Sequence, residues 1–157
     1  MSDGNEEFSI RKAVPSDAEA LIALDERVTD VRKTDYWHDL FKRLRARPPV
    51  DLYIYLAQEG HDEGGYARVI GFVIGEVRAW EFNSDQCGWV FAIGVDPDAR
   101  ESGIGEALLA RISDSFREVG VRTVRTMVAR DNHLLMSFFR SEGMTAGPYL
   151  QLELDLG

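Results

Sequence analysis

The sequence predicts an α+β fold in three layers (α/β/α): a mixed, mostly antiparallel sheet of about six or seven strands with helices on both faces. Three observations predict it. Hydrophobic periodicity switches between 2 and 3.6 residues in the order β-α-α-β-β-β-α-β-α-β. Short polar turns join the middle strands, as antiparallel neighbours require. One strand–glycine turn–helix–strand unit, residues 89–128, then supplies a single parallel crossover.

Each element has its own signal. Residues 8–13 read as a short strand. Pro15, Ser16 and Asp17 open a helix through about Val28, with Ala20, Leu21 and Leu24 on its apolar side. A second helix, 35–45, stops ahead of Pro48 and Pro49, because the residue before proline avoids the helical region. Residues 52–58 form a strand, 60–65 a polar turn, and 69–81 a longer strand ending at Asn83-Ser84-Asp85. Residues 89–95 are the next strand. A helix follows from about 103 to 119, with Gly120 just beyond it. The β-branched run 121–128 is a strand, and 132–142 a short helix ending at Gly143. Leu150, Leu152, Leu154 and Leu156 alternate with polar residues, which predicts a half-buried strand over 149–156.

Composition bounds the function. A chain of 157 residues suffices for one domain with a real core. Residues 1–7 are polar and acidic; they read as a frayed tail and not a signal peptide, which leaves 8–157 as a single domain. No apolar run is long enough to span a bilayer, so no membrane role is expected. The single cysteine, Cys87, has no disulfide partner in the chain and fits a reducing cytoplasm. His38, His61 and His133 lack metal-ligand spacing, so no metal is expected. A net charge of −9 argues against general nucleic-acid binding, which needs a basic footprint. Lys42, Arg43, Arg45 and Arg47 cluster where a helix dipole favours cations; docking of a phosphate or partner is the alternative.

The segment 95–109 carries the most chemistry. An apolar strand stops at Asp96-Pro97, Arg100 follows, then Gly103 and Gly105, then an amphipathic helix. First-turn amides lack intrahelical acceptors, and the aligned peptide dipoles favour an anion there. Glycines admit a large anion to the backbone, and the planar donors of Arg100 suit phosphate. Three phosphate motifs compete. A P-loop needs Lys-Ser/Thr after its second glycine, where Glu106-Ala107 stand. A dinucleotide fingerprint needs Gly or Ala where Leu108 stands. The remaining pattern is Arg-x-x-Gly-x-Gly after a strand. The bland alternative is a glycine turn that merely starts a helix.

Arg100-x-x-Gly103-x-Gly105 resembles motif A of the GNAT N-acetyltransferases, which holds the pyrophosphate of acetyl-CoA. Asn132 to Met144 is similar to their motif B, with Gly143-Met144 where Gly-Phe is usual. Core packing of Leu135, Phe138 and Phe139, and simple capping by Asn132, are the bland readings of that segment. Ile10-Arg11-x-Ala13-x-x-x-Asp17 looks like the family's first strand and helix. The resemblance covers residues 8–156. It implies that strands 89–95 and 121–128 splay apart past a bulge, with pantetheine in the gap. By the same resemblance, Ile93, Gly94 and Val95 lie along pantetheine. Arg100, Glu101, Ser102, Gly103, Ile104, Gly105 and Glu106 lie at the pyrophosphate, and Asn132 and Phe139 complete the cofactor residues. Gly94 reads equally as room for the thioester or as a bulge glycine.

The proton chemistry is less legible. An amine with a pKa near ~10.4 must lose a proton before it attacks, and the CoA sulfur leaves as a thiolate. The resemblance puts the family's usual Glu base at Trp89 and its usual Tyr acid at Phe139, and neither transfers protons. The remaining candidates are Glu81 and Asp85, with Glu76, for the base and Tyr149 for the acid, each with a solvated-surface alternative. A thiol of pKa about 8.5 also leaves without an acid, so positioning and an amide near Ile93 or Gly94 are a further route. Cys87 reads as a core residue and not a nucleophile.

The resemblance therefore implies an N-acetyltransferase that moves acetyl from acetyl-CoA to a primary amine, a protein lysine or N-terminal amine first and a small-molecule amine second. Its acceptor side lies at the first two helices and the turns near Asn83 and Gly147. Tyr36, Trp37, Phe41 and Trp80 are candidate walls, with core packing the alternative for the first three. An acyl-CoA sensor without turnover and a transferase of longer acyl groups are the rivals. A monomer or a homodimer is compatible with the sequence.

Overall fold

The computed structural model describes residues 8–46, 51–60, 67–79, 81–100 and 103–157. The expected frayed tail, most of the turn after Gly60, and the expected roles of Arg47, Trp80, Glu101 and Ser102 fall outside these residues. The chain divides into two compact units, Met1–Met127 and Val128–Gly157.

The first unit is built on one sheet. Its strands are β1 (Phe8–Lys12), β2 (Leu52–Glu59), β3 (Arg68–Arg78), β4 (Cys87–Val95) and β5 (Val124–Thr126), in sequence order across the sheet. Every pair is antiparallel except β4–β5, which is parallel. The crossover between them is α3 (Ile104–Glu118). Alternate residues of each strand face opposite layers. Leu52, Ile54, Leu56, Phe72 and Ile74 join one core with α1 (Ala18–Thr29) and α2 (Thr34–Ala46). Trp37 anchors it, edge-on to Phe72 with centroids 5.1 Å apart. Its indole N–H donates to the buried Asp25 carboxylate at 2.9 Å, which ties α2 to α1. Arg11 grips Asp17 through two hydrogen bonds of 2.8 Å and so links β1 to the start of α1. Burial would raise the Asp17 pKa, but these bonds and the Val14 amide outweigh it and hold the carboxyl below its usual range.

The opposite face belongs to α3, and glycines let it lie close. A Cβ on Gly71 would meet Ile104 at 2.9 Å, one on Gly75 would meet Ile112 at 2.8 Å, and one on Gly88 would meet the Phe116 ring at 2.3 Å. The helix is thereby held against β3 and β4, with its N-terminus beside the end of β4. Tyr55 adds a hydrogen bond to the buried hydroxyl of Ser115.

In the second unit, α4 (His133–Ser141) is capped by Asn132, whose side-chain oxygen accepts from the Leu135 amide at 3.1 Å. Gly143, with φ +89°, ends it in the left-handed region.

Several expectations are corrected. The described sheet has five strands and not six or seven. β3 ends at Arg78, so Glu81 lies in a separate 3₁₀ turn, Glu81–Asn83. β5 is only three residues long, and where its ladder ends the Thr126 hydroxyl donates to the Val90 carbonyl at 2.9 Å. Residues 149–156 form no strand, and Leu150, Leu152, Leu154 and Leu156 are 84–90% exposed. A period of two specifies a face that wants burial; it does not supply the partner. Trp37 and Phe41 are fully buried in the core and wall no site.

The α3–sheet contact predicts that Gly88→Ala costs about 2 kcal/mol in urea unfolding, as overpacking does. Adding Phe116→Leu should cost less than the sum of the two single changes, because it removes the ring that the new methyl strikes.

Candidate active site

The site starts from a break in the sheet. β4 and β5 pair only from Gly88↔Val124 to Val90↔Thr126. Among the described strands, β4 continues for five residues with β3 alone. A bulge falls at the same point: Ile74 faces Ala92 and Gly75 faces Val90, so Phe91 is the extra residue. Phe91 and Ala92, though consecutive, both pack against the α1–α2 core, as a bulge permits.

Backbone direction follows from the ladder. The Asp96 amide donates to the Ile70 carbonyl at 2.8 Å, toward β3. Alternation turns the amides and carbonyls of Val95 and Ile93 the other way, onto the open side. Gly94 has its own packing reason: a Cβ there would meet Phe72 at 2.6 Å. The bulge is at Phe91, so Gly94 is not the bulge glycine.

A single 3₁₀ turn, Pro97–Ala99, connects β4 to the approach of α3. Gly103 caps α3 at φ +77° and offers no side-chain acceptor. The Ala107 amide bonds the Gly103 carbonyl at 3.1 Å, and the amides of Ile104, Gly105 and Glu106 precede that first helical bond. Open space surrounds the missing Gly103 Cβ, and the nearby Arg100 is exposed. A helix start of this kind fits an anionic group, and its donors are backbone amides that need no titration.

Asp96 fixes this turn. Its fully buried carboxylate receives Arg27 at 2.7 and 3.0 Å, Arg68 at 2.7 Å and the Asp98 amide at 3.0 Å. Burial would raise its pKa; the Asp98 amide and the two guanidinium groups outweigh that and hold it below the ordinary aspartate range. Sequence reasoning missed Arg27 and Arg68, which come from α1 and β3. The one available signal was Asp96 before Pro97, a cap pattern.

Beyond the other end of the parted stretch lies a cavity of about 790 Å³, lined by Arg43, Asp51, Glu76, Arg78, Glu81 and Phe82 among others. Glu76 accepts from Arg43 at 2.9 Å and Arg78 at 3.0 Å. The Arg78 guanidinium sits 5.1 Å over Trp89 and 5.5 Å over Phe91. Glu81 is 49% exposed, 3.8 Å from Arg78. Asp85 is exposed on the following turn, outside the cavity lining. Phe82 stands 68% exposed with φ +53°, a bulky residue in a backbone region it rarely adopts. Sequence reasoning missed Phe82 and Arg78; only Asn83, a residue tolerant of positive φ, hinted at the first. Tyr149 and Phe139 lie in the second unit, the tyrosine exposed and the phenylalanine buried. Among the described residues no cluster of His, Cys, Asp or Glu is arranged for a metal, and no helix is long and apolar enough to cross a membrane.

Residues 18–144 match the acetyltransferase (GNAT) family. The chain is a GNAT-family protein. The mycothiol acetyltransferase of Saccharomonospora viridis is 30% identical over 85% of this chain and 44% of its own length. The L-2,4-diaminobutyric acid acetyltransferase of Nocardia farcinica is 30% identical over 53% of this chain and 42% of its own. This GNAT chain thus spans less than half of those curated relatives. Its fold is that of the aminoglycoside N-acetyltransferase AAC(6')-Iy solved with CoA, with a TM-score of 0.80, 17% identity and full coverage of both chains. The glucosamine-6-phosphate N-acetyltransferase of Arabidopsis thaliana shares it at TM-score 0.71 and 19% identity, over 97% of this chain and 100% of that one.

The Asp96 cluster predicts a pH effect. A lowered native pKa contributes stability that is complete above the unfolded aspartate value, about 3.9, and is lost as pH falls from there through the native value. Asp96→Asn should cost about 2 kcal/mol at pH 7, the scale of hydrogen bonds to charged groups. It should also flatten the acid limb of the curve of Tm against pH below about pH 4.

Proposed function

We propose that this chain transfers the acetyl group of acetyl-CoA to a primary amine of a small molecule. The observation that carries the reading is the parting of β4 from β5 in line with the uncapped start of α3. Pyrophosphate would lie on the amides of residues 104–106 with Arg100, and the amide-bearing pantetheine along Ile93 and Val95, as a peptide adds to a sheet edge. Glu101, Ser102, Asn132 and Phe139 belong to the same proposed cofactor set by family resemblance.

The acyl carbon would then lie near the bulge, within reach of an amine in the 790 Å³ cavity. Asp51 and Glu81 in its lining suit a cationic acceptor beside the Glu76–arginine pairs, and exposed Phe82 offers an apolar wall. Glu76 is occupied by two arginines and Asp85 lies outside the lining, so of the candidate bases Glu81 is assigned to take the ammonium proton, directly or through water. The free amine would attack the thioester carbon, the C–S bond would break, and the surplus proton of the attacking nitrogen would pass through water to the departing thiolate, leaving the amide and CoA thiol. Asp85 and Tyr149 remain the alternative base and acid. The relatives, named for acetylating small molecules, support the small-molecule acceptor over the protein lysine or N-terminal amine that sequence reasoning preferred.

Two measurements test this. Arg100→Ala, at an exposed position, should leave Tm unchanged and raise the Kd for acetyl-CoA about tenfold, since a charge-assisted bond contributes about 1.5 kcal/mol. An unchanged Kd overturns the pyrophosphate assignment. Glu81→Gln should lower kcat at least tenfold on the best amine of a panel of diamines, amino sugars, aminoglycosides and lysine peptides, while Asp85→Asn stays near wild type. Tight binding without any acetylated product would favour the sensor, which Trp89 and Phe139 at the usual proton-transfer positions motivate.

A further inference from the structure

The cavity beyond the parted strands holds two positive charges that acetyl transfer to a plain amine does not use. Arg43 and Arg78 both line it, together with Asp51, Glu76 and Glu81. Glu76 stands between the two: its Oε2 accepts from Arg43 Nη2 at 2.9 Å, and its Oε1 accepts from Arg78 Nε at 3.0 Å. One carboxylate therefore balances one of two guanidinium groups and leaves the other charge over.

Arg78 is held in place with its outer edge open. Its Nε is tied to Glu76, and its plane lies 5.1 Å over the Trp89 ring and 5.5 Å over Phe91. Nη1 is 3.8 Å from Glu81 Oε2, outside hydrogen-bond reach. Among the described residues neither Nη nitrogen of Arg78 has a hydrogen-bond acceptor. An anchored guanidinium whose Nη pair is open forms the fork that a carboxylate fits, at little further cost in side-chain freedom. The rest of the lining selects among anions. A phosphate dianion would meet the carboxylates of Asp51, Glu76 and Glu81 with only one surplus positive charge to hold it. A polyamine would set its second ammonium against Arg43 and Arg78. A molecule with one ammonium and one carboxylate meets neither conflict. Spacing narrows it further: with Arg78 and Glu81 only 3.8 Å apart, charges alternate around the four groups when the amine and carboxylate sit on the same or adjacent carbons.

We infer, resting on the acetyl-transfer reading of this cavity, that the acceptor is an α- or β-amino acid, its amine at Glu81 and its carboxylate on the outer edge of Arg78. Arg43 adds charge from the exposed surface of α2. The bond changes are those of the transfer itself, and the acceptor carboxylate takes no part in them. Its hydrogen bonds to Arg78 fix where the neighbouring nitrogen lies. Trp89 thereby acquires a role at the position where a proton carrier is usual: it is the platform that holds Arg78 flat.

Calorimetric titration of the full chain saturated with CoA tests it. The probes are the common amino acids and β-alanine, each beside its own carboxamide, which keeps the amine and removes the negative charge. At least one acid should bind about tenfold more tightly than its carboxamide, the scale of one charge-assisted hydrogen bond. Arg78→Gln should bring that ratio to about one, and Arg43→Gln should lower it about threefold, as a screened charge does. Each ratio is taken within one variant, so a general loss of structure cancels. Acids that bind no more tightly than their carboxamides, or a preference that survives Arg78→Gln, overturn the carboxylate subsite. Acetylation of the same pairs separates this inference from the reading beneath it. Carboxamides and plain amines acetylated as readily as acids overturn the amino-acid acceptor and leave acetyl transfer standing. Acids bound through Arg78 but never acetylated overturn the transfer and leave the subsite standing.

Discussion

The structure depends on one interruption in one ladder. β4 and β5 share three register pairs and then separate, and everything proposed for the site follows from the open edge that results. Buried backbone must have hydrogen-bond partners, so a sheet that opens beside its last described strand needs a reason at every position. Three are visible. Thr126 satisfies the last paired carbonyl with its hydroxyl. Phe91 is a bulge residue that shifts the β3–β4 register one residue past the last β4–β5 pair. Beyond that point the outward groups of Ile93 and Val95 face a gap that an amide-bearing chain can fill.

The opening is useful only if the helix beside it is held still, and two different forces do that. Glycines at 71, 75 and 88 bring α3 down onto the sheet through van der Waals contact alone. Asp96 fixes the incoming turn electrostatically, joining β3, α1 and the 3₁₀ turn through one buried carboxylate. Both guanidinium groups reach solvent, so their desolvation cost is small, and the carboxylate is fully hydrogen-bonded. The electronegative apex of the turn is thus neutralised before any phosphate arrives at the helix start next to it.

The strand–glycine turn–helix unit was legible because its signals are local: a β-branched and aromatic run, Asp96-Pro97, two glycines and a 3.6-residue stripe. The three-layer arrangement followed from element order. What sequence did not carry is long-range. Nothing near Asp96 announces Arg27, 69 residues away, and nothing near Trp89 announces that Arg78 will stack above it. The one local sign of the left-handed backbone at Phe82 is its neighbour Asn83. The leucine alternation at 150–156 predicted a half-buried strand, and the structure has neither strand nor burial there, because a period of two specifies a face and not the partner that would cover it.

The central claim is that the open edge of β4 and the start of α3 form one continuous binding surface for acetyl-CoA. Amide hydrogen exchange of the full chain, with and without saturating acetyl-CoA, tests it most directly. The account predicts new protection at Ile93 and Val95 together with Ile104 and Gly105, while Gly94, already turned toward β3, changes little. Protection at the helix start without any change at Ile93 and Val95, or at neither place despite binding, would contradict it.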